Sequence, residues 1–148
     1  MDPENEIVKL CGAGMTAEME GRPEEALALY EEAWGTAVTP TEGCIAAHFL
    51  ARHQESEQDT LYWNQEALRL ADAVDDDSVQ SFYPSLYLNL AHSHELLGNI
   101  AEARRYYDLA AAKVDDLPDG LYGKRVRNSI ARHRQQMNSM EKKRTDDE

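Results

Sequence analysis

Toward the end of the chain, apolar residues return at Tyr122, Val126, Ile130, Met137 and Met140, a spacing that gathers them on one face of a helix. The remaining face carries Lys124, Arg125, Arg127, Arg132 and Arg134. Such a two-sided segment predicts a helix that lays one side on a core and keeps the other in water. Upstream, Ala, Leu, Glu and Arg dominate, all of them strong helix formers. The pattern predicts helices over about 4–20, 23–37, 42–54, 57–74, 80–97, 100–115 and 120–141. The run Asp75-Asp76-Asp77-Ser78 marks a loop or helix end near residues 74–82.

The helices are not independent of one another. Gly14, Gly21, Ala26, Tyr30 and Ala33 are spaced +7, +5, +4 and +3, and so are Ala91, Gly98, Ala103, Tyr107 and Ala110. In both sets the second glycine suits the left-handed backbone that ends one helix, and Pro23 suits the first turn of the next. A weaker copy lies between them: Ala51 follows Ala17 by 34 residues, and Ala67 follows Ala33 by 34. Small residues at these offsets predict helical hairpins whose backbones cross closely, Gly14 against Ala26 and Ala91 against Ala103. Tyr30 and Tyr107 are expected to fill the space toward the next hairpin. One hairpin cannot bury both its faces, so stacked copies share a core.

A period of 34 with these small residues resembles the tetratricopeptide repeat (TPR) family. The first copy supplies Leu10, Ala13, Gly14, Ala17, Ala26 and Tyr30. The third supplies Tyr87, Leu90, Ala91, His94, Ala103 and Tyr107. The closing proline is displaced to Pro40 and Pro118, and in the middle copy His48 and Thr60 replace small residues. The resemblance implies an all-α superhelix of three hairpins, at about 5–38, 41–75 and 80–116, with a capping helix at about 120–141. Residues 1–141 would form one domain and 142–148 a disordered tail.

The formal charge is −13, which makes a nucleic-acid backbone an unfavourable partner. It is unevenly spread: residues 1–123 hold 24 acids against 7 bases, and residues 124–148 hold 8 bases against 4 acids. The basic end is expected to be a solvated helix, or one held by the acidic body. Cys11 and Cys44 lack metal or redox spacing and are expected to be buried thiols. The acidic start has no signal-peptide pattern and no apolar run approaches membrane length, so a cytoplasmic location without membrane attachment is expected.

The resemblance also implies a concave groove lined by the first helix of each hairpin. Carried onto this chain, it makes Met15, Phe49, Arg52, His53, His92 and Glu95 the expected contact residues for a peptide or an amphipathic helix. The lysine, asparagine and arginine that clamp chaperone C-termini in some TPR proteins are absent, their places taken by Cys11, Met15, Phe49, Leu88 and His92. His48 is expected to be a buried imidazole bonded to Thr60 or a backbone carbonyl. Two histidines from adjacent helices with Glu95 could hold a metal, yet no local signature such as H-E-x-x-H supports one, and none is expected. No glycine-rich phosphate loop or nucleophile motif is present, so neither a cofactor nor catalysis is expected. The expected role is that of a protein-binding adaptor or scaffold. A self-associating repeat forming a homodimer, and an RNA-binding or cryptic enzymatic protein using the basic last helix, are the alternatives.

Overall fold

The computed structural model describes residues 2–114 and 120–146, without the side chains of Tyr122 and 144–146. Pro118, the end of the third expected repeat (115–116) and residues 147–148 of the expected tail lie outside the described residues. The chain divides into two compact units, Met1–Val79 and Gln80–Glu148, where one domain was expected over 1–141. No strand occurs among the described residues.

The first unit holds four α-helices, α1 (Glu6–Met19), α2 (Pro23–Thr36), α3 (Pro40–Leu50) and α4 (Glu57–Asp72). A short 3-10 turn, Ala51–His53, continues α3. Helices α1 and α2 form one hairpin, α3 and α4 a second, and α3 packs on both α1 and α2. The starts are set by local chemistry. The Asn5 side chain accepts from the Ile7 and Val8 amides, and Thr39 and Glu42 form a reciprocal capping box ahead of α3. Asn5 Nδ2 also donates to Glu42 Oε2 at 2.9 Å, so the entries of α1 and α3 are tied together.

The second unit opens with a 3-10 turn at Gln80–Phe82 and continues as α5 (Tyr83–Leu96), α6 (Ile100–Lys113) and α7 (Leu121–Asp146). Helices α5 and α6 form a hairpin, and α7 packs on both of them. Val126, Ile130 and Met137 are the buried stripe of α7, against Ala110 at one end and Ala91, Ala103 and Tyr107 at the other. Its polar side is pinned as well, with Arg134 pairing Asp108 and Glu141 pairing Arg104. The helix passes residue 141, where it was expected to stop, and 142–146 are helical rather than a disordered tail. Its closing segment is rich in Glu, Lys and Arg, which favour helix without any apolar partner.

The two glycine turns are alike. Gly21 and Gly98 have φ of +76° and +82°. Each is followed by the bond pair that seals a helix end: Arg22 N to Ala17 O with Gly21 N to Glu18 O, and Asn99 N to His94 O with Gly98 N to Glu95 O. The hairpin crossings differ in one respect from expectation. Tyr30 packs within its own hairpin, where a Cβ on Gly14 would stand only 2.3 Å from Tyr30 Cε1. The ring also meets the next hairpin, stacking on Phe49 at 5.2 Å.

Candidate functional site

The glycine turns fix the backbone at Glu18 and Glu95, each in the last turn of the first helix of its hairpin. A carboxylate there faces the negative end of the helix dipole, so it gains from nearby donors and cations. Each unit gathers such groups around its glutamate, and the two gatherings are built from matching residues.

In the first unit, the hydroxyl of the fully buried Tyr30 donates to Glu18 Oε1 at 2.6 Å. His53 Nε2 lies 2.7 Å from the same oxygen, and its ring stacks on Tyr30 at 6.0 Å. Arg52 Nη2 donates to Glu18 Oε2 at 2.8 Å and its guanidinium lies over Phe49. Burial alone would raise the Glu18 carboxyl. The bonds from Tyr30 and His53 and the Arg52 charge outweigh it and hold the group below its ordinary range. The first cluster is therefore a carboxylate with both oxygens occupied.

In the second unit, the fully buried Tyr107 offers its hydroxyl to Glu95 Oε2 at 3.3 Å. The His133 ring stacks on Tyr107 at 5.3 Å with its plane tilted by only 9°. His133 Nδ1 lies 3.6 Å from Glu95 Oε2, and His92 Nδ1 lies 3.8 Å from that same oxygen. His133 Nδ1 is buried and makes no hydrogen bond. Burial pushes the His133 imidazole down, against the pull of Glu95. Among the described residues, no lysine or arginine reaches Glu95. Three groups thus converge on one oxygen, and of these only the Tyr107 hydroxyl is within hydrogen-bond distance.

The groove residues expected from sequence are therefore partitioned. Phe49, Arg52 and His53 belong to the first cluster, and His92 and Glu95 to the second. Met15 belongs to neither and is exposed on α1. His48 is half-buried with its ring edge on Phe49, and burial lowers its pKa. The Thr60 hydroxyl donates to the Ser56 carbonyl of its own helix. Cys11 and Cys44 are buried thiols, each pushed up to about 12 by burial, which leaves them unreactive.

Sequence reasoning missed His133 and the pairing of each tyrosine with a glutamate. The signals were present. The offset of 77 that carries Tyr30 to Tyr107 also carries Glu18 to Glu95. The tripeptide Ala51-Arg52-His53 recurs as Ala131-Arg132-His133, and His133 fills the gap in the buried stripe between Ile130 and Met137. Comparison with protein-family models, with curated proteins and with solved structures finds no match.

Proposed function

We propose that the chain is a TPR-like protein-binding module in which each unit presents the first helix of a hairpin to an amphipathic helix or extended apolar segment. The single observation that carries this reading is a repeated exposure. Met19 on α1 and Leu96 on α5 occupy the same place in their hairpins, and they are 87% and 53% exposed. One exposed apolar residue means little, but the same defect kept at the same place in two copies suits a surface that a partner covers. Met15 and His92 form a second matched pair one turn earlier, and both are exposed. The acidic balance of residues 1–123, net −17, favours a partner with basic flanks around its apolar face. The reading implies no cofactor and no bond-breaking chemistry.

The test is site-specific photocrosslinking in the native cell. A photoreactive phenylalanine analogue replaces Met15 in one variant and the exposed Glu31 of α2 in another. A discrete adduct from position 15 with none from position 31 is the expected result. Equal adducts from both positions, or none from either, would remove the reading.

A further inference from the structure

We propose that His92, Glu95 and His133 form a binding site for one divalent zinc-type cation in the second unit, with Tyr107 supporting the carboxylate. Nothing in the protein-binding reading requires this site. It stands on the geometry of three side chains from two helices. Their ligating atoms lie within 4.8 Å of one another, with 3.8 Å from His92 Nδ1 to Glu95 Oε2 and 3.6 Å from His133 Nδ1 to the same oxygen. Around a tetrahedral zinc, with bonds of about 2.0–2.2 Å, neighbouring ligand atoms stand roughly 3.3–3.5 Å apart. The observed separations are too long for hydrogen bonds and slightly longer than a shared metal requires. The half-exposed His92 can shorten its own separation by side-chain rotation, and the 3.6 Å from His133 already lies close to the metal-bound value.

Three further observations agree. First, His133 Nδ1 is buried with no hydrogen-bond partner, which is costly for a polar nitrogen unless something else occupies it. Second, His133 is held in place: its ring is stacked on the buried Tyr107, so the nitrogen is aimed before any ligand arrives. Third, the Tyr107 hydroxyl donates to the Glu95 carboxylate at 3.3 Å, the place of an orienting outer partner.

The first unit supplies the internal contrast. There the matching glutamate is closed by Arg52, and the place matching His92 is held by Met15. One cluster carries its own cation; the other presents two imidazoles and no fixed positive charge. Two nitrogens and one carboxylate oxygen suit zinc, cobalt or nickel, and are a poor set for calcium or magnesium, which prefer oxygen alone. Three protein ligands leave a fourth position for water or for a group from a bound partner.

The experiment is calorimetric titration of the full chain, purified without a histidine tag, with zinc and separately with magnesium. Cobalt binding is followed in parallel by visible absorption. One zinc per chain, no magnesium binding and a four-coordinate cobalt spectrum are expected. His92→Ala alters a half-exposed residue outside the packed core, so its metal-free melting curve should match the parent. Its zinc affinity should fall by roughly tenfold or more. Glu95→Gln should lose the cobalt spectrum. Absence of zinc binding, or binding that His92→Ala and Glu95→Gln both leave unchanged, would overturn the assignment and leave the cluster as a packing contact.

Discussion

The clusters around Glu18 and Glu95 share a glutamate, a buried tyrosine and a histidine in the same order, yet they reach different states. In the first, donors close on the carboxylate at 2.6, 2.7 and 2.8 Å. In the second, the groups stop at 3.3, 3.6 and 3.8 Å. Three differences account for this. Gly14 lets the Tyr30 ring settle against α1, whereas Ala91 holds a methyl group at the matching place. His53 sits in a 3-10 turn and presents Nε2, while His133 sits inside a continuous α-helix and presents Nδ1. Arg52 supplies a charge to Glu18, and its counterpart Arg132 makes no such contact with Glu95. A repeated scaffold can thus hold one charged group in a finished network and leave its copy open.

The largest effect should come from the crossing itself. Gly14→Ala places a methyl group 2.3 Å from a ring that is buried on all sides, so the ring or the helix must move. Overpacking of this kind costs about 1–3 kcal/mol. Denaturant unfolding should show that loss, whereas Ala91→Gly creates no clash and should cost about 1–2 kcal/mol, the helix penalty of glycine plus one buried methyl group. A Gly14→Ala protein as stable as the parent would show that the Tyr30 ring is not seated against α1.

A difference of similar size is expected from the hydroxyls. Tyr30→Phe removes a short bond to a charged carboxylate and should cost about 1.5–3 kcal/mol. Tyr107→Phe removes only the 3.3 Å contact and should cost less than 1 kcal/mol, on the order of a weak neutral bond. A larger loss at Tyr107 than at Tyr30 would reverse the comparison.

The smallest effect is one of acidity. Glu18 is held below its ordinary value of 4.5, so its contribution is complete above that pH and is lost as pH falls through the depressed value. Melting curves of the parent and Glu18→Gln should therefore be well separated at neutral pH and converge on acidification below about 4.5. His48, pushed below 6.5 by burial, adds acid sensitivity of the same sign, and it cancels in this comparison because both proteins carry it. Curves that keep their separation down to the lowest pH would show that the Glu18 network adds no pH-dependent stability.

Much of the fold was legible because its signals are local and repeated. The turn at Gly21 and Gly98 demands a left-handed residue, and the small residues at 14, 26, 91 and 103 mark helix crossings. The course of α7 was less legible. Its polar end carries no apolar period, so the pattern predicts a stop near 141 where the stripe ends, although the helix continues to Asp146. The site was legible residue by residue and not as a constellation. Arg52, His53, His92 and Glu95 can each be placed on a helix, but Tyr30 and Tyr107 read as core filling. A tyrosine buried to the last atom can still direct its hydroxyl at a carboxylate, and only the hairpin geometry shows where it points. His133 was hidden for a similar reason. An imidazole within an apolar stripe reads as an interruption until the Tyr107 face beneath it is known.

The contrast is between a cluster closed by the chain's own arginine and a copy left open to a cation. Histidine side-chain nitrogen resonances, recorded by long-range proton–nitrogen correlation before and after one equivalent of zinc, test this most directly. The predicted result is a shift of the His92 and His133 nitrogens, Nδ1 foremost, with His53 unmoved. Shifts of equal size at His53 and His133, or no shift at any histidine, would contradict it.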